Sequence, residues 1–138
     1  MTYYLKSGCL ILFSLFAVCS APQKPAGHSG QITHIVLCWL NEPGNAEHKK
    51  QIIETSRALG NIPGVLSVCA GVPLSSDRPV VDDSFDVGIT FVLEDTIALK
   101  TYLQRPEHQE AQKKVLQPLV KKVLVYDIME SGCAKTLR

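Results

Sequence analysis

The stretch from Ser84 to His108, SFDVGITFVLEDTIALKTYLQRPEH, leaves this chain few folds to choose from. Phe85, Val87, Ile89, Phe91 and Leu93 alternate with Asp86, Gly88, Thr90, Val92 and Glu94. That is the period-2 pattern of a strand with one strongly apolar face. Asp95 follows where a short acidic side chain can accept the unpaired N–H groups of a first helical turn. Beyond it Ala98 and Tyr102 are four apart, as are Leu99 and Leu103, so both pairs lie on adjoining stripes of a helix. Pro106 cannot sit in a helix interior but suits the first turn of a new helix. His108, Ala111 and Val115 then share the inward face of that helix at i, i+3 and i+7. An imidazole is thereby placed on a buried surface, close in sequence to a tyrosine.

The remaining elements follow from the same periodicities. Ile32 to Leu40 reads as a strand with Ile32, His34, Val36, Cys38 and Leu40 on one side. Its other side, Thr33, Ile35, Leu37 and Trp39, is also largely apolar, which requires cover on both faces. A helix runs from Gly44 or Asn45 to about Leu59, and Gly60 reads as its C-terminal stop. Val65 to Val72 is a strand expected to place Leu66, Val68, Ala70 and Val72 together. Pro73 to Asp83 is a polar loop long enough to be functional or flexible. Pro118 ends the last helix, and Lys122 to Met129 is a final strand with Leu124, Tyr126 and Ile128 on one side. The order is strand–helix–strand–strand–helix–strand. The expected fold is α+β, a ferredoxin-like βαββαβ with a four-stranded antiparallel sheet and helices on one face.

Helices on one face leave the other bare. Trp39, Leu37 and Val92 on that face are too apolar to leave in water. Packing it against the same face of a second copy, an isologous homodimer, is the simplest remedy. Trp39 and Tyr126 are the expected aromatics of that interface.

The N-terminus reads as a separate module. Lys6 precedes an apolar run from Cys9 to Cys19, too short to span a bilayer and typical of a signal-peptide core. Residues 1–19 are therefore expected to be a signal peptide. Two cleavage readings stand: a lipoprotein-type cut that leaves Cys19 acylated, with Val18 where a smaller residue is usual, or ordinary secretory processing near Cys19 to Ala21. Either way the protein is expected to be exported: periplasmic or tethered to a membrane through its N-terminal lipid, otherwise secreted. Residues 20–31, rich in Pro, Gly, Ala and Ser, form a flexible linker. The folded domain is expected over 32–130, with a loose tail at 131–138.

Net charge is +1 with the positive residues dispersed, so no basic field attracts nucleic acid. There is no CxxC pair among the five cysteines, and Cys38, Cys69 and Cys133 are widely spaced. Neither a zinc site nor a disulfide framework is indicated. No metal or cofactor is expected. His34, His108 and Asp127 would have to be brought together by the fold to hold a metal, and no spacing supports it.

Five segments resemble one family. These are Thr33 to Leu37 (THIVL), Ile62 to Val65 (IPGV), Phe85-Asp86, Tyr102 to His108 (YLQRPEH) and Val125 to Asp127 (VYD). Together they resemble the stress-responsive A/B barrel domain, of the dimeric α/β barrel superfamily, over about Gln31 to Ile128. The resemblance implies a ferredoxin-like protomer and a homodimer whose sheets close into a barrel-like core. The family includes plant stress-responsive proteins without assigned chemistry. It also includes olivetolic acid cyclase, whose motif histidine and tyrosine act as an acid–base pair. The matching positions are His108 and Tyr102. His34 matches a cavity-lining histidine of the first strand. Phe85 stands where the cyclase has a further histidine, which argues against the same substrate.

Tyr102 and His108 are thus candidate catalytic residues, and His34, Phe85 and Phe91 candidate ligand-binding residues. An imidazole can take a proton near neutral pH, and a tyrosine hydrogen-bonded to it can donate to a developing enolate. The competing reading is a structural His–Tyr contact that satisfies two buried polar groups. Packing is the reading favoured from sequence. The expected protein is an exported homodimer without an assigned activity that binds a small apolar or oxygenated ligand. The alternative is a lyase, cyclase or cofactor-free monooxygenase using the His–Tyr pair. A ligand-sized cavity faced by both side chains would favour chemistry, whereas a space filled by Phe85, Phe91 and Leu103 would favour packing.

Overall fold

The computed structural model describes residues 30–132. The apolar N-terminal run with Cys19, the linker up to residue 29 and Cys133 lie outside the described residues. The chain runs β1 (Ile32–Leu40), α1 (Ala46–Ala58), β2 (Val65–Gly71), β3 (Val87–Leu93), α2 (Thr96–Gln104), α3 (Pro106–Ala111) and β4 (Val120–Met129). A 3-10 turn, Leu59–Asn61, extends α1, and α3 continues through a wide π-type turn (Gln112–Leu116) into a last turn (Gln117–Leu119). The strands form one antiparallel sheet in the order β2-β3-β1-β4. This is the ferredoxin-like arrangement that the order of elements predicts.

The two central strands are those with the cleanest patterning. On β1 the row Ile32, His34, Val36, Cys38 and Leu40 is buried, and on β3 the row Val87, Ile89, Phe91 and Leu93. These rows face Ile52 of α1, Tyr102 of α2 and Val115 of the π turn in one core. Burying each such side chain contributes about 1.5–3 kcal/mol. Helix ends are fixed locally: the Asn45 side chain accepts the Glu47 and His48 N–H groups, and Asp95 accepts those of Ile97 and Ala98. Pro106 opens α3 at its first turn, as its missing N–H allows.

Long-range ties set the strand ends. Asp86 accepts the N–H groups of Leu40 and Gly44, each at 2.8 Å, and so binds the end of β1 and the following loop to the start of β3. Asn41 donates from its backbone to the Leu119 carbonyl and from its side chain to that of Pro118, anchoring the last helical turn beside β1.

The structure departs from the local sequence pattern at several positions. Gly60 is not a left-handed helix cap; it lies inside the 3-10 turn, where a Cβ would come within 2.9 Å of Val68. The left-handed position is Gly64 (φ +90°), where a Cβ would also meet Ala98 at 2.9 Å. Leu66 is exposed because the register of β2 against β3 shifts between Val65 and Ser67, so Val65 packs on the core instead. Val72 lies beyond β2 and is also exposed. The last strand begins at Val120 rather than Lys122, with Pro118 inside the final helical turn. Phe85 precedes β3 and turns to the helix-free face, beside Leu37 and against the ring of Trp39 (centroids 6.3 Å apart). Trp39 itself is only 9% exposed in a single copy. Phe85 covers it edge-on, the Lys122 ammonium lies 4.0 Å from its ring, and its indole N–H donates to Ser84. The open apolar residues of that face are instead Tyr126 and Ile128, with Ile35, Leu37, Val92 and Leu124 half-buried.

Candidate active site between sheet and helices

Strand register builds the site. His34 of β1 is paired with Phe91 of β3 on one side and Asp127 of β4 on the other. Side chains directly opposite in a sheet share a face. Phe91, His34 and Asp127 therefore form a row beneath the helices. Above it, the buried stripe of α2 supplies Tyr102 and the first turn of α3 supplies His108. The chain break at Pro106 lets these two residues come from differently directed helices and still meet.

The rings touch in sequence from strand to helix. His34 is 6.0 Å from Phe91 and 6.1 Å, edge-on, from Tyr102 (centroid distances). Phe91 is 5.1 Å from Tyr102, and Tyr102 is 4.6 Å from His108 at an interplanar angle of 50°. Such contacts each contribute about 0.5–1.5 kcal/mol beyond burial. All four residues are buried.

Each imidazole is fixed through Nδ1. His34 Nδ1 lies 2.6 Å from Asp127 Oδ1, and His108 Nδ1 lies 3.3 Å from the Leu103 carbonyl oxygen. A carbonyl or carboxylate oxygen only accepts, so both histidines carry a proton on Nδ1. In the neutral rings Nε2 is then the basic nitrogen. The expected Tyr102–His108 hydrogen bond is absent among the described residues: the rings meet at a tilt, and His108 donates to Leu103 instead.

Burial sets opposite proton affinities. It pushes the Tyr102 hydroxyl far above its ordinary value, so the phenol stays protonated. It holds His108 below the ordinary 6.5, assisted by repulsion from His34 and opposed by the Leu103 hydrogen bond. A hydrogen-bond donor that keeps its proton and a neutral base thus sit side by side at neutral pH.

These groups line a cavity of about 560 Å³ between sheet and helices. Its wall includes His34, Phe91, Tyr102, His108 and Asp127, with apolar residues such as Ile89 and Val125. The volume is within the range of small-molecule sites, which pair apolar walls with a few convergent polar groups. Leu103 and Phe91 border the space without filling it. Phe85 is not part of this wall: the strand starts at Val87, and the preceding bend puts Phe85 on the opposite face. Asp127, considered from sequence only as a metal ligand, is instead the partner of His34, a relation that only strand register reveals. Ser56 of α1 and Gln112 of the π turn also border the cavity without any sequence signal. Among the described residues no group of three or more His, Cys, Asp or Glu side chains is arranged to hold a metal ion.

Residues 32–130 match the stress responsive A/B barrel domain (Dabb) family. The chain belongs to that family. Comparison with curated proteins finds no match. Among solved structures, this A/B barrel domain is similar to a Dabb-family protein with a ferredoxin-like fold from Mesorhizobium loti. That match has 24% identity and a TM-score of 0.61, covering 75% of this chain and 100% of that one. A dimeric ferredoxin-like protein of unknown function from Thermobifida fusca matches at 18% identity and a TM-score of 0.60, over 74% and 92% of the two chains. The hydroxynitrile lyase of Passiflora edulis matches at 18% identity and a TM-score of 0.64, over 79% and 98%. At these identities the likeness establishes the fold alone.

Proposed function

We propose that this A/B barrel domain is a homodimer that binds a small, mostly apolar, oxygenated molecule between its sheet and helices. The observation that carries this reading is the cavity itself, with Tyr102, His34 and His108 on its wall. Close-packed interiors leave few voids larger than a water molecule, so a space of this size beside these residues supports the ligand reading. The apolar, helix-free sheet face and the dimeric Thermobifida fusca relative support self-association. The test is a thermal-shift screen of short ketones, aldehydes and phenols on the wild type, His108→Ala and Tyr102→Phe. Saturable stabilisation of the wild type that both variants weaken supports the reading. Equal stabilisation of all three places binding elsewhere and defeats it.

A second reading, acid–base catalysis in the same cavity, is favoured by the proton states. His108 Nε2 would accept a proton from carbon or hydroxyl, and the Tyr102 hydroxyl would donate a hydrogen bond to the carbonyl oxygen where negative charge develops. The Passiflora edulis relative is a hydroxynitrile lyase, so the fold can carry lyase chemistry. Turnover of an aldehyde or ketone that survives Phe85→Leu but is lost in His108→Ala would support it.

Export is part of the proposal, supported by the short apolar run from Cys9 to Cys19 behind Lys6. Cell fractionation and mass spectrometry of the mature N-terminus test it. A cytoplasmic protein retaining residues 1–19 would contradict it.

A further inference from the structure

We infer that the second copy closes the ligand cavity, so that the site is complete only in the dimer. This inference rests on the homodimer and the ligand site proposed above. The cavity has one sealed end and one open flank. At the sealed end His34, Phe91, Tyr102 and His108 are all buried. The open flank is β4: Val123 and Val125 border the cavity yet remain 45% and 44% exposed, and the Asp127 side chain is 47% exposed.

β4 is exposed in three directions. On the cavity side it shows Val123 and Val125, and on the helix-free side Tyr126 and Ile128, 50% and 51% exposed. Among the described residues its outer edge has no neighbouring strand, because β4 ends the sheet. Proteins usually blunt such an edge with charges or cover it. The lysines of β4, Lys121 and Lys122, lie at its start, and from Val123 to Met129 the sole charge is Asp127, which is paired with His34. The strand is therefore built to be covered. A second copy laid over Tyr126 and Ile128 sits at the edge of the sheet, since among the described residues no strand lies beyond β4, and it can extend past that edge. Side chains on the two faces of one strand are separated by only about 10 Å, so a domain-sized partner that overhangs also reaches Val123 and Val125. Neither of these valines touches the helices enough to be buried by them. One occupant, this chain itself, satisfies the edge and both faces.

The test uses the full-length mature protein with methyl-labelled valine and a soluble nitroxide. In the wild-type dimer the Val123 and Val125 methyl signals are expected to resist broadening. In Tyr126→Asp and Ile128→Asp, which alter only the face away from the cavity, sedimentation is expected to show a monomer and these methyls to broaden. Benzaldehyde, used as the probe, is expected to bind the wild type at least roughly tenfold tighter than the monomeric variants. Should both variants misfold, dilution of the wild type through dimer dissociation provides the same comparison. A wild type that stays monomeric overturns the inference. So does a dimer whose Val123 and Val125 methyls broaden as in the monomer, or a monomer that binds benzaldehyde as the dimer does. If no form binds benzaldehyde or any related carbonyl compound, the ligand reading fails, while the nitroxide result still decides whether the partner covers the flank.

Discussion

His34 Nδ1 lies 2.6 Å from Asp127 Oδ1, joining the central strand of the sheet to its edge strand on the cavity side. The contact turns a half-exposed carboxylate into the orienting partner of a buried imidazole. It also fixes which nitrogen of His34 remains available to a ligand.

Replacing Asp127 with Ala is therefore expected to cost little stability, about 1 kcal/mol, because the carboxylate is partly solvated. Its larger effect is on His34. Nitrogen-15 NMR of the wild type should show the Nδ1–H form, and Asp127→Ala should show a mixture of tautomers. An unchanged tautomer in the variant would mean that Asp127 does not orient the ring.

Tyr102 separates packing from hydrogen bonding. Tyr102→Ala removes a buried ring from contact with Phe91 and His108 and is expected to cost about 3–5 kcal/mol in chemical denaturation. Tyr102→Phe keeps those contacts and is expected to cost under about 1 kcal/mol while weakening the binding of carbonyl compounds. A large stability loss in Tyr102→Phe would assign the hydroxyl a structural role.

His108 predicts a pH dependence. Burial holds its folded value below the ordinary 6.5, so in acid the unfolded chain binds a proton that the folded chain refuses. The contribution is fully present above 6.5 and is lost as pH falls through and below that value. Comparing urea midpoints of the wild type and His108→Gln across this window should show a flatter acid limb in the variant. Parallel curves would contradict the assignment.

Cys38 is buried in the central strand, and burial pushes its thiol up to about 11. It is expected to resist alkylation at pH 8 in the folded protein and to react fully in urea, as read by peptide mass spectrometry. Rapid native labelling would show that β1 opens on the timescale of the reaction.

What the sequence made legible was what short-range chemistry controls. The alternation on β1 and β3, the Asp95 cap and the Pro106 helix start depend on neighbours within a few residues. So does the buried row His108, Ala111, Val115. Local pattern misleads where distant segments decide. Phe85 fits the alternation of β3, but Asp86 is committed to Leu40 and Gly44, and the chain bends before it. Leu66 is displaced by a register shift that no local pattern announces. Gly60 resembles a cap, yet its role is to let the turn approach Val68. The pairing of His34 with Asp127 spans most of the domain and emerges only when β1 and β4 align. Tyr102 and His108 were legible as neighbours, but the open space beside them was not, because a cavity is a property of the assembled walls.

The most direct measurement is an NMR titration of the wild type with benzaldehyde and short-chain ketones, following the imidazole signals of His34 and His108. The account predicts saturable shifts at both histidines with at least one of these compounds, weakened in Tyr102→Phe and unaffected by Phe85→Leu. Histidine signals that do not respond to any carbonyl compound, or that respond identically in Tyr102→Phe, would contradict it.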